Sequence, residues 1–256
     1  MQAAKKVLVA SALVICPFLT FAEEAANPIT ANVALTSNYV FRGISQTFDD
    51  PAIQGGFDFA HASGFYLGTW ASNVTSASFN NASMEWDVYG GYSGKINDDF
   101  SYNVGLLQYF YPGGESASGE DYDTLEAFAG VTFRFLNVKY SHTLTDYFGV
   151  NQNNPPTGAT ANGDSEGSGY LEANANFELA QGFMLGLHIG HQEVQNYGTL
   201  DYTDYKVGIS KEFVGLNFGL AYTDTDAESV PYTVTKGTET EDISDGTFIL
   251  SVSKTF

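Results

Sequence analysis

From about residue 30 onward, apolar residues recur on every second position in segments of roughly ten residues, the period that places them on one face of a β-strand. Met84, Trp86, Val88 and Tyr92 alternate with Glu85, Asp87 and Tyr89, and Leu125, Ala127, Ala129, Val131 and Phe133 alternate with Glu126, Thr132 and Arg134. Leu171, Ala173, Ala175 and Phe177 do the same with Glu172, Asn174, Asn176 and Glu178. The first segment sets Val33, Leu35, Tyr39 and Phe41 against Asn32, Thr36, Asn38 and Arg42. Applied along the chain, the period predicts about twelve strands, near 30–43, 51–61, 64–74, 83–93, 100–111, 123–135, 137–146, 169–179, 183–192, 201–212, 216–224 and 246–256.

A soluble sandwich also alternates, so the period alone leaves two architectures open. The connections separate them. Tight links such as Ala62-Ser63, Leu136, Ala180-Gln181-Gly182 and Phe213-Val214-Gly215 alternate strictly with long ones such as Pro112 to Tyr122, Tyr147 to Ser168 and Thr225 to Asp245. An even strand number with tight turns at one end and long loops at the other is the layout of bacterial outer-membrane barrels. No stretch after the N-terminus is long and apolar enough for a membrane helix. The expected fold is therefore all-β, a transmembrane antiparallel up-and-down β-barrel. Lys211 and Lys254 fall on the apolar face near the tight-turn ends, where a long stem can reach the headgroups. Trp70, Trp86, Tyr92, Tyr102 and Phe256 also lie near strand ends, at the places of interfacial aromatic girdles.

Residues 1–22 read as a cleaved signal peptide, with Lys5 and Lys6 before an apolar run and Thr20-Phe21-Ala22 at the cleavage site. This implies export by the Sec route and leaves 23–256 as the barrel. The single Cys, Cys16, leaves with the leader, so no disulfide framework holds the fold.

Composition narrows the function. Aromatic residues make up 15% and charged ones only 16%, which excludes a disordered acidic chain. With 10 Lys+Arg against 30 Asp+Glu and a net charge of -20, there is no basic stripe for nucleic acid. Most of the acids fall in the long loops, where divalent cations could link them to lipopolysaccharide.

Little in the chain points to chemistry. His61, His142, His188 and His191 lack close ligand spacing on one face, and the acidic runs lack the calcium-loop pattern, so no metal or cofactor is expected. His142 has no Ser on its face of the strand, so no hydrolase triad is read and no catalytic residue is assigned. What remains is the inward face: Arg42, Asp58, Glu85, Asp87, Glu126, Arg134, Lys139, Glu172, Glu178, His188, Asp204 and Lys206 are the expected pore-lining residues. Mixed charge there fits either a narrow channel for small polar solutes or ions, or a lumen plugged by its own ion pairs, and about twelve strands permit both. The channel is the preferred expectation. A non-conducting barrel with a structural or loop-binding role is the alternative, and a soluble secreted β-protein ranks third.

The runs NVALTSNYVFRGISQT at 32–47, FYLGTWASNV at 65–74, SGYLEANANFEL at 168–179 and YKVGISKEFVGLNFGLAYTDT at 205–225 resemble the TorF-like porin family. The resemblance covers essentially all of 23–256. It implies an outer-membrane location in a Gram-negative cell and a channel role, and it carries no substrate or catalytic residue. Phe256, closing the last alternating strand, is similar to the C-terminal aromatic signal that outer-membrane proteins present to the barrel-assembly machinery.

Overall fold

The structure, a computed structural model, describes residues 28–256, so the leader expected at 1–22 lies outside the described residues. Its main body is a closed antiparallel barrel. We number the barrel strands β1 (Ile29–Thr36), β2 (Ala52–Ala60), β3 (Phe65–Asn73), β4 (Met84–Lys95), β5 (Phe100–Phe110), β6 (Thr124–Phe133), β7 (Leu136–Thr143), β8 (Gly169–Glu178), β9 (Phe183–Glu193), β10 (Tyr202–Phe213), β11 (Leu216–Thr225) and β12 (Thr247–Thr255). Each pairs with its neighbours in sequence, and β1 closes the barrel against β12 in the register Asn32↔Thr255 to Thr36↔Ser251. Closure leaves no unpaired edge in the barrel.

The alternation of the sequence becomes inside and outside. Phe57, Leu67, Leu171, Ile189 and Leu250 point outward and are exposed, whereas Gln54, Glu85, Asp87, Glu126, Glu172 and Asp204 point inward and are buried. Apolar outside and polar inside inverts the arrangement of a soluble protein. The rings of Phe100 and Phe133 pack at 4.5 Å and those of Phe135 and Phe177 at 4.9 Å, forming an aromatic belt around the tight-turn end. Lys211 and Lys254 sit in this belt, each over a ring, Phe183 at 4.5 Å and Phe256 at 5.0 Å. Trp86 lies at the other end, exposed, 5.5 Å from Phe110.

The tight turns have the backbone their geometry demands. Val214 and Gly215 link β10 to β11 with φ of 54° and 74°, the pair of positive φ values that matches strand twist in a two-residue hairpin. Arg134 takes φ of 54° in the turn from β6 to β7.

Three expectations change. The first strand ends at Thr36, not at 43, because the chain turns into the barrel at Ser37. Trp70 is not a girdle residue: it is buried on the inward face of β3, with its ring 5.5 Å from Tyr39. Tyr39, expected on the apolar outer face, is itself only 1% exposed inside.

Candidate functional site

The segment after β1 holds the key to the lumen. Val40–Phe41 pairs with Ile44–Ser45 around Arg42 and Gly43, whose φ values are 48° and 81°. The result is a small hairpin that enters the mouth of the barrel, with Asn38, Tyr39 and the residues from Gly43 to Phe48 all buried. Gly43 lies against the wall so closely that a Cβ there would stand 2.4 Å from Thr225 Cγ2 and 2.7 Å from Asp204 Cβ. Glycine is thus required at this tip for both its backbone and its approach.

Contacts from several sides hold the hairpin. Within it, Asn38 Oδ1 accepts from Ser45 Oγ at 2.8 Å and Thr47 Oγ1 at 3.1 Å. Ser45 N donates to Ile243 O, and Thr75 N donates to Gln46 O, both at 2.8 Å, which ties it to two outer loops. Ile44 and Phe48 pack with Tyr202 and Ile243, and Lys236 pairs with Asp50 from the hairpin formed by Thr233–Lys236 and Glu239–Asp242. Beneath it, Tyr39 Oη and Tyr111 Oη donate to the two oxygens of Glu85 at 2.6 Å and 2.7 Å.

Arg42, at the tip, reaches the opposite wall. Its Nη2 donates to Glu126 Oε2 at 2.8 Å and its Nη1 to Gln192 Oε1 at 3.0 Å. The guanidinium carbon lies 4.3 Å from the Tyr170 ring centroid and 4.7 Å from that of Phe41. The two charged side chains are only 6% and 2% exposed, so the pair is screened little by solvent.

A second cluster lies along β7 to β10. Lys139 Nζ is 2.6 Å from Glu172 Oε1, and Asn174 Nδ2 donates to Glu172 Oε2 at 3.0 Å. His188 bridges Asn174 Oδ1 at 2.7 Å and Asp204 Oδ1 at 2.9 Å, while Tyr170 Oη donates to Asp204 Oδ2 at 2.7 Å. Lys206 is the register partner of His188 across β9 and β10. The wall of β2 to β4 differs. It carries Asp58, Glu85 and Asp87, the first two with tyrosine hydroxyls as hydrogen-bond partners, Tyr89 Oη donating to Asp58 Oδ1 at 2.6 Å. Acids and bases mix on one side of the lumen, and acids predominate on the other.

Of the twelve expected lining residues, ten therefore stand on the lumen, Arg42 by way of the hairpin rather than a strand. Glu178 has the inward register but lies exposed at the last position of β8. Arg134 does not face the lumen. It sits in the β6–β7 turn and forks onto Asp99 at 2.9 Å and 3.1 Å. The hydrogen bond from Arg134 holds the Asp99 carboxyl below its usual range. Gln192, Tyr170, Tyr109 and Tyr39 were not anticipated. Gln192 and Tyr170 share the inward parity of His188 and Glu172, a signal that the alternation already carried, whereas Tyr39 could be found only from the turn of the chain at Ser37.

A family model described as a bacterial protein of unknown function (Gcw_chp) matches residues 22–256. The chain belongs to this family. No curated protein matches it in sequence. Among solved structures, the Gcw_chp chain is similar to the KdgM porin, with a TM-score of 0.54 and 12% identity over 89% of this chain and 99% of that one. A KdgM porin in complex with disordered oligogalacturonate gives a TM-score of 0.51 at 11% identity, covering 89% and 98%. The NanC porin gives 0.50 at 10% identity, covering 88% and 98%. At such identities the likeness is one of fold: the Gcw_chp chain is a porin-like barrel.

Proposed function

We propose that the protein is an outer-membrane channel for passive diffusion of small polar solutes or ions, with no catalytic step. The observation that carries this reading is the closed barrel with an exposed apolar outer face and a charged lumen. Such a surface belongs in a bilayer, and only a closed barrel or a helix satisfies the backbone there. The TorF-like resemblance and the porin-like fold support the same reading. In it, export proceeds by the Sec route, the acidic outer loops meet lipopolysaccharide through divalent cations, and β12 with its exposed Phe256 is offered to the assembly machinery.

The lumen favours cations. KdgM was solved with oligogalacturonate, a polyanion; here the β2–β4 wall would repel one, and carboxylates in a narrow low-dielectric passage attract cations instead. Planar-bilayer recording tests this. Discrete, weakly cation-selective steps are expected, and Asp87→Asn together with Asp58→Asn shifts the reversal potential toward anions. An unchanged reversal potential would remove these carboxylates from the selectivity mechanism. Absence of both steps and liposome swelling would sink the channel itself.

The inward hairpin is the specific observation that favours a second reading, a barrel closed at its mouth with a structural or loop-binding role. The same recording decides between them.

A further inference from the structure

We propose that Glu126, Gln192 and Tyr170 form a guanidinium-binding site in the outer part of the lumen, and that Arg42 occupies it as a tethered ligand. Small solutes bearing a guanidinium group then compete with the hairpin for the same acceptors. The use of this site in uptake rests on the channel reading; its existence does not.

The receptor is built without the hairpin. Glu126, Tyr170 and Gln192 belong to β6, β8 and β9, and each is fixed by partners on the barrel wall. Gln192 Nε2 donates to Gly169 O at 3.0 Å and Glu193 O at 3.2 Å, which turns Oε1 toward the lumen. Tyr109 Oη donates to Glu126 Oε2 at 3.3 Å. The hydroxyl of Tyr170 is held by Asp204 at 2.7 Å, so its ring keeps its face to the site. A site whose orienting contacts lie outside the ligand is preorganised.

The chemistry specifies the ligand class. Two acceptors on separate nitrogens and a ring stacked on the plane fit the flat, forked guanidinium, and an ammonium, a compact point charge, fills only part of it. Charge balance adds a demand for occupation. Glu126 is 1% exposed, and a buried carboxylate deprived of its counter-ion is costly, so a vacated site calls for another cation. The hairpin does not hang on Arg42 alone, because Tyr39, Ser45 and Gln46 are held by Glu85, Ile243 and Thr75 at other points. The tip can be emptied while the hairpin stays anchored.

Calorimetric titration of the purified full-length barrel with methylguanidinium, and with methylammonium as control, tests the assignment. The folded state of each variant is checked by heat-modifiable gel migration. Arg42→Ala is expected to bind methylguanidinium, and the double variant Arg42→Ala/Glu126→Gln to bind it roughly tenfold to a hundredfold more weakly, the worth of a charge-assisted hydrogen bond. The wild type, its site filled, shows no binding over the same range. In bilayers, Arg42→Ala conducts more than the wild type, and methylguanidinium restores the smaller conductance. Equal binding by Arg42→Ala and the double variant, or by the wild type and Arg42→Ala, overturns the site whatever the conductance. Binding as expected with no conductance in any variant leaves the site standing and removes the channel. If Arg42→Ala does not fold, Arg42→Lys serves: it keeps a cation on Glu126 but leaves the fork unfilled, and methylguanidinium binding no tighter than to the wild type is then the overturning result.

Discussion

Leu220→Arg is expected to lower the unfolding free energy of the barrel in lipid by about 2–4 kcal/mol, the cost of a cation at the bilayer midplane. Leu220 lies in the middle of β11, points outward, and has Ile209 and Leu250 as register partners on either side. Both flanking positions on the outer face are therefore apolar, and neither offers an acid to pair with the new charge. The cost should fall with depth. Leu216→Arg, at the tight-turn end of the same strand, is expected to cost about 0–1 kcal/mol, because its head can reach the interface as the heads of Lys211 and Lys254 can. Urea titration of both variants in lipid vesicles gives the two values. Equal losses at the two positions would mean that the exposed apolar face is not in hydrocarbon, and the membrane reading would go with it.

Gly190→Ala is expected to destabilise the protein by about 1–3 kcal/mol, the range for overpacking a filled interior. A Cβ at Gly190 would stand 1.9 Å from Tyr170 Oη and 2.6 Å from Asp204 Oδ2, between the two partners of a buried hydrogen bond. Tyr170 would have to swing away, leaving Asp204 short of a donor and withdrawing the ring that stacks on Arg42. Gly186 on the same strand is the control. Its nearest neighbour would be Asn176 Oδ1 at 3.3 Å, so Gly186→Ala should stay within about 0.5 kcal/mol of the wild type. Should the two variants prove equally stable, the packing of Tyr170 over Gly190 does not constrain the lumen wall.

The alternation of Leu171, Ala173 and Ala175 with Glu172 and Asn174 gave β8 to within a residue at either end, because strand period and burial side are local properties of a pleated chain. Arg134 shows the limit. Its parity with Thr132 was correct, but one residue past the strand the chain had entered the turn, where parity no longer fixes direction. Glu178 kept its parity and lost its burial, since depth along the barrel axis depends on where the neighbouring strands end.

By itself the sequence determined that this protein is an up-and-down β-barrel, with most strand boundaries after the first strand, alternating loop lengths and most of the inward carboxylates and lysines. Period two, Gly-containing tight turns and the excess of outward aromatics act over neighbouring residues, so a linear reading contains them. The tertiary structure decided what the lumen is. Tyr39 and Phe41 continue the alternation of β1 as though the strand went on, and only the contacts with Glu85, Ile243 and Thr75, all distant in sequence, fold this segment inward. Arg42 and Glu126 are 84 residues apart along the chain and meet only across the closed barrel. A pairing of that kind is set by barrel closure and the depth of the hairpin, and no local pattern encodes either.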